Sequence, residues 1–72
     1  MKEIRVALIG TGVISKQHME RYQNIPNAKV VAACDLDRRK LEAWGEAYQI
    51  QDLYTDYREL LKREDIDAVD VC

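Results

Sequence analysis

The stretch from Ile4 to Ser15, Ile-Arg-Val-Ala-Leu-Ile-Gly-Thr-Gly-Val-Ile-Ser, constrains this chain more than any other. A short apolar run breaks into two glycines one residue apart and then resumes apolar, which reads as a strand, a tight turn and the start of a helix. Gly10 can take backbone angles closed to other residues, and Gly12 has no side chain to hold a bulky anion off the backbone. The first amides of the following helix point into that gap, and with the positive end of the helix dipole they make an anion site. Gly10, Thr11, Gly12, Val13 and Ile14 are therefore the candidate backbone contacts to a pyrophosphate.

In the dinucleotide-binding fingerprint the spacing is Gly-x-Gly-x-x-Gly or Ala, with an acidic residue about 20 residues further on, at the end of the next strand. Ser15 holds the third position, where a small side chain lets helix and strand pack closely. Asp35 stands at the expected distance, directly behind the apolar run Val30-Val31-Ala32-Ala33-Cys34. A carboxylate there accepts hydrogen bonds from two ribose hydroxyls and repels a 2′-phosphate, which favours NAD over NADP. Arg38 argues the other way, because a guanidinium one helical turn further on can pair with a 2′-phosphate or stack on adenine. Leu36 is a candidate wall for the adenine, and a leucine there could equally belong to the core. The competing structural role for Asp35 is the cap of the next helix.

Taken in order, the chain alternates strand and helix signals. Ile14, His18, Tyr22 and Ile25 recur at helical spacing, with Met19 beside them, and this helix is expected to stop near Asn24, ahead of the break at Pro26-Asn27. Ala28 to Cys34 is nearly continuous apolar, the pattern of a central strand covered on both faces. A helix from about Arg38 to Tyr48 carries Leu41, Trp44 and Tyr48 on one face. Gln51 to Tyr54 reads as a short third strand. Asp56 and Glu59 form a capping-box pattern opening a short helix with Leu60 and Leu61, then a polar turn at Arg63-Glu64-Asp65, then a fourth strand from Ile66 to Cys72. Crossovers of this length are right-handed and join parallel strands. The expectation is an α/β fold, a truncated doubly wound parallel sheet of Rossmann-like type in the strand order third, second, first, fourth, occupying residues 1–72 as one N-terminal part of a cofactor-binding domain with no substrate domain.

Bulk properties narrow the function classes. A chain of 72 residues buries only roughly 60 % of its unfolded surface, so its core is thin. With 47 % hydrophobic and 33 % charged residues it is ordinary globular material, and its net charge of −2 with scattered Lys and Arg leaves no basic face for nucleic acid. No apolar run approaches the ~20 residues of a membrane helix and no leader precedes the first strand, so the cytoplasm is the expected compartment. Cys34 and Cys72 end strands that flank the first one on opposite sides, roughly 9 to 10 Å apart by sheet spacing. That exceeds the ~7 Å disulfide limit, and two free thiols are expected.

On these residues the chain resembles the N-terminal part of the Gfo/Idh/MocA oxidoreductases, the glucose-fructose oxidoreductase and inositol dehydrogenase family. The resemblance covers the whole chain and rests on Val6 to Ser15 with His18 shortly after, on Val30 to Asp35, on Leu-Tyr-Thr-Asp-Tyr-Arg-Glu-Leu-Leu at Leu53 to Leu61, and on Ile-Asp-Ala-Val-Asp-Val-Cys at Ile66 to Cys72. It implies a parent NAD(P)-dependent oxidoreductase acting on small molecules of the sugar or polyol type. In that family the catalytic Lys, usually in Glu-Lys-Pro, and the second α/β domain that forms dimers lie past the stretch that matches Cys72. Binding of nucleotide without catalysis is thus the expectation for this chain, since nothing in it positions a substrate or accepts its proton.

Other readings compete. A free-standing regulatory module that binds NAD(H) or another adenine nucleotide would share every residue above. A methyltransferase using S-adenosylmethionine ranks last, because Leu8 stands where such enzymes usually carry an acid. His18, the one histidine, shares a helix face with Ile14 and Tyr22 and reads as a packed core histidine, with no acid or cysteine at triad or metal spacing along the sequence. Trp44 and Tyr48 read as core, no metal site is expected, and an unpaired fourth strand edge predicts self-association into a homo-oligomer.

Overall fold

A computed structural model describes residues 2–72. The chain runs β1 (Ile4–Ile9), α1 (Val13–Gln23), β2 (Ala28–Cys34), α2 (Arg38–Tyr48), β3 (Asp52–Tyr54), α3 (Tyr57–Leu61) and β4 (Ala68–Val71). The strands form one sheet in the order β3-β2-β1-β4. All three pairings are parallel, with Ile4 opposite Ala28, Val6 opposite Ala68, and Ala32 opposite Asp52. This is the architecture and strand order expected from the alternation of signals. The third strand is one residue shorter than expected and the fourth begins at Ala68 rather than Ile66, whose side chain packs under the sheet just before the strand starts.

The sheet is covered on both faces. On one side Val6, Leu8, Val30 and Ala33 pack against Met19 of α1 and Leu41 and Trp44 of α2. On the other, Ala7, Ala32 and Cys34 pack against Leu60 of α3. The simple alternation of inward and outward residues breaks once. Between Val6 and Ala7 the register with β2 slips, so that Val30 faces Val6 but Ala32 faces Ala7 and Val31 is the extra residue. Val31 and Ala32 consequently belong to the same face, as a bulged strand requires.

Helix α1 presents a different face from the one its apolar spacing suggests. The residues it buries are Ser15 and Met19, with Tyr22 packed partly against the same cluster, whereas Ile14 is 53 % exposed and Ile25 is exposed as well. Small Ser15 lets the helix axis approach the sheet, and Trp44 from α2 fills the space beside it, donating its indole N–H to the Ser15 hydroxyl at 3.2 Å. Helix α2 starts on Asp37, whose carboxylate accepts from the amides of Arg39 and Lys40, so the cap is Asp37 and not Asp35. Helix α3 is capped by Asp56, which accepts from the Arg58 amide at 2.9 Å; the reciprocal half of a capping box is not formed, since the Glu59 carboxylate pairs with Lys62. The polar turn before β4 is tied down: Arg63 reaches Asp65 and Asp52, and Arg5 reaches Asp65, so a network rather than a single exposed pair closes this end of the sheet.

Gly45 lies in the middle of α2, buried against β3. A Cβ there would sit 2.8 Å from the backbone oxygen of Ile50 and 2.7 Å from a Leu53 methyl. The helical preference for alanine is therefore opposed by a backbone group that cannot move aside. Gly45→Ala should lower unfolding stability by about 1–3 kcal/mol, the usual cost of overpacking a core, measured as a reduced urea midpoint by circular dichroism; an unchanged or raised midpoint would contradict this packing.

Candidate functional site

The C-terminal ends of β1, β2 and β4 converge on Gly10. Its φ of +102° is open to glycine and costly for other residues. Its N–H donates to the Cys34 carbonyl at 2.7 Å, the Cys72 N–H donates to the Ile9 carbonyl at 2.9 Å, and a Cβ on Gly10 would lie 3.1 Å from the Cys72 carbonyl oxygen. Gly12 is the N-cap of α1 and nothing lies within 4 Å of where its Cβ would be, so the space ahead of the helix is open. The Gly12, Val13 and Ile14 amides donate to no group among the described residues, and the first turn holds no acidic side chain to offset the dipole. All three amides stand at the start of α1, beside that open space.

Thr11 is placed differently. It is buried, and both its N–H and its hydroxyl donate to one oxygen of Asp35, Oδ2, at 2.9 and 2.7 Å. Its amide thus faces the carboxylate instead of the gap. The other oxygen of Asp35 accepts from the Asp37 amide at 2.9 Å. Burial works against the charged form of Asp35, but the Asp37 amide, the Thr11 hydroxyl and amide, and the nearby Lys40 charge together hold the carboxyl below its ordinary value. Asp35 therefore stays an anion at the tip of β2, a short distance from unpaired donors on α1.

The remaining predicted residues separate into two groups. Leu36 is 90 % exposed and forms the rim of a cleft of about 340 Å³ that also includes Ile9, Gly10, Asp35 and Tyr57. Arg38 is not part of that cleft; its guanidinium extends along its own helix to Glu42 at 3.7 Å, an exposed pair of small energetic weight. Tyr57, Val71 and Cys72 line the cleft without having been singled out as site residues. The signal was available in their position, since each lies at or just after the C-terminal end of a strand, where open parallel sheets bind ligands. Both cysteines are free thiols, as expected; burial and the Asp35 charge push the Cys34 thiol up, and burial and Asp70 do the same for Cys72.

Ser15 does more than fill the third fingerprint position. It is fully buried, accepts from Trp44 and donates its own hydroxyl to the Gly12 carbonyl, so the core of α2 steadies the N-cap of α1. His18 departs from its expected isolation. Its acid partner comes from β4, fifty-two positions away: Nδ1 lies 2.6 Å from Asp70 Oδ2, which also accepts from the Tyr22 hydroxyl at 2.9 Å. Sequence spacing could not show a pair joined only through the sheet.

A family model described as an oxidoreductase family with an NAD-binding Rossmann fold matches residues 4–72. The chain belongs to the Gfo/Idh/MocA family. It is 37 % identical over 71 residues to an uncharacterized oxidoreductase, YrbE, of Bacillus subtilis and 39 % identical over 71 residues to a D-apiose dehydrogenase of Paraburkholderia graminis. Those matches cover 99 % of this chain but only 21 % and 19 % of the relatives, so the chain spans about a fifth of their length. Among solved structures, an oxidoreductase from Agrobacterium radiobacter in complex with NAD+, L-tartaric acid and magnesium superposes with a TM-score of 0.92 at 30 % identity, over 99 % of this chain and 21 % of that one. The myo-inositol dehydrogenase of Lactobacillus casei, in complex with NAD(H) and myo-inositol, gives 0.86 at 36 % identity, over 97 % and 21 %. The fold is thus the Gfo/Idh/MocA Rossmann unit, and no helix among the described residues is long and apolar enough to cross a membrane.

The lowered pKa of Asp35 has a consequence for stability. A carboxyl whose folded value lies below the unfolded one contributes stability that is complete above the unfolded value, 3.8, and is lost as pH falls through the folded value. The urea midpoint should hold steady from neutral pH to about pH 5 and fall below about pH 4. Asp35→Asn should flatten part of that fall; an identical acid profile would show that Asp35 is not held ionised by the loop.

Proposed function

We propose that this chain is the cofactor-binding part of an NAD-dependent oxidoreductase acting on polyols, sugars or related hydroxy compounds. The observation that carries the reading is the pairing of an ionised Asp35, clamped by Thr11 at the end of β2, with the unpartnered amides of Gly12, Val13 and Ile14 across an open gap. The pyrophosphate occupies that gap on the helix N-terminus. Asp35 accepts hydrogen bonds from the adenosine ribose, with one of its oxygens already turned by Thr11, and the adenine lies in the apolar cleft against Leu36. The open space at Gly12, with nothing within 4 Å of where a Cβ would be, has room for a bulky anion. Arg38, engaged with Glu42, is available to a 2′-phosphate only by leaving that pair, and Asp35 repels such a phosphate, so NAD is favoured over NADP.

The cofactor, when bound, supplies hydride chemistry; this chain contributes binding and orientation. Relatives named as dehydrogenases of inositol and D-apiose support the substrate class. The parent enzyme works in the cytoplasm as a homo-oligomer in this reading. For the 72-residue chain itself, the outer edge of β4 offers strand pairing to a second copy, and a concentration-dependent mass in sedimentation is expected; a monomer at high concentration would rule that out.

The decisive experiment is an NADH titration by calorimetry. Hydrogen bonds to a charged group are worth about 1.5–3 kcal/mol, so Asp35→Ala should weaken NADH binding by roughly 10- to 100-fold, and NADPH should bind the native chain more weakly than NADH. Circular dichroism of the variant guards against a loss of fold. Unchanged NADH affinity in a folded variant would remove Asp35 from the ribose site.

A further inference from the structure

Beside the nucleotide cleft, which Cys72 also lines, α1 and β4 bring together a second set of chemically active side chains. His18 and Tyr22 lie one turn apart on α1. Asp70 and Cys72 lie two residues apart along the fourth strand and its end, so both point to the α1 side of the sheet. One donor atom from each of His18, Asp70 and Cys72 falls within 4.8 Å of the other two.

We propose that His18, Asp70 and Cys72 form a binding site for one divalent cation of the zinc class. An imidazole nitrogen, a carboxylate oxygen and a thiolate sulfur are the donors that Zn2+ takes in tetrahedral sites, at about 2.0–2.3 Å. Donors around such an ion stand roughly 3.3–3.8 Å apart by those bond lengths. Asp70 and the His18 ring, now 2.6 Å apart, separate by about 1 Å, and the Cys72 sulfur moves inward by a similar amount, movements open to side-chain rotation. A neutral imidazole, a carboxylate and a thiolate offset the two positive charges of the ion. The thiol proton passes to solvent, and the proton that His18 shares with Asp70 moves to the other ring nitrogen.

The surroundings fit this use. Tyr22 donates to Asp70 and would keep the carboxylate aimed at the ion, as hydrogen-bonded partners of metal ligands do. Beside the cluster is a cleft of about 380 Å³ that His18, Asp70 and Arg21 line, leaving the fourth position of the ion to solvent. Arg21 places a positive charge there, which favours an anionic or neutral fourth ligand. The cluster uses none of the proposed pyrophosphate or ribose contacts and meets the nucleotide cleft only at Cys72, so the metal titration is made without nucleotide.

The test is a titration of the full 72-residue chain with Co2+, followed by displacement with Zn2+. One equivalent should bind and produce the near-ultraviolet absorption of a cobalt–thiolate bond, which Zn2+ then abolishes. Cys72→Ser should eliminate that absorption, and since Cys72 is exposed this change leaves the core intact. Cys34→Ser should leave it unaltered. Tyr22→Phe should weaken Zn2+ binding by about tenfold, with the cobalt band retained, as expected of a positioning residue. Absence of stoichiometric binding, a cobalt complex without thiolate absorption, or a Cys72→Ser variant that binds as the native chain does would each overturn the proposal.

Discussion

The end of β1 is crowded, and the rest of the architecture follows from how that crowding is resolved. Three strand ends meet at Gly10, which accepts a positive φ and leaves room for the Cys72 carbonyl. Only with that turn can the chain reverse onto the sheet and start α1 with its amides facing outward. The same turn brings Thr11 against Asp35, so one residue of the loop is spent on holding the carboxylate and the next three face the open gap.

Around that point the core is thin but continuous. Leu8 and Leu41 on one face and Leu60 on the other are completely or almost completely buried, and fully burying a leucine is worth about 1.5–3 kcal/mol. The polar groups drawn into this core are paired with one another. Ser15 accepts from Trp44 and donates to the Gly12 carbonyl, which avoids the penalty of an unsatisfied hydroxyl and links the middle of α2 to the first turn of α1. A fingerprint position usually filled by an apolar small residue is thereby used to brace the first turn of α1.

Local signals were readable from the sequence because they depend on neighbours in the chain. The glycine turn, the apolar strand ahead of Asp35, the Asp56 cap and the β3-β2-β1-β4 order rest on spacing and on the handedness of crossovers, and the structure bears them out. What was not readable depends on partners from elsewhere in the fold. The inward face of α1 is set by Ser15 meeting Trp44, not by the apolar stripe of Ile14 and Ile25. The slip at Val31 arises from β1 and β2 adjusting to each other. Thr11 reads from the sequence as a phosphate contact, and its amide and hydroxyl both donate to Asp35, twenty-four residues away. His18 finds Asp70 only once β4 has docked beside β1.

That last docking has a kinetic meaning. β1, α1, β2, α2 and β3 associate through short crossovers, whereas β4 pairs with β1 across nearly the whole chain, with Arg5 and Asp67 hydrogen-bonded at a separation of sixty-two residues. Closing so long a loop carries the largest entropic cost of any pairing in the sheet, and such pairings are slow. The Gly12–Ile14 amides and the Thr11–Asp35 clasp rest on β1, α1 and β2 and include no residue of β4. The His18–Asp70 pair and the wall that Val71 and Cys72 give to the cleft exist only with β4 in place, so the two regions answer to different parts of the sheet.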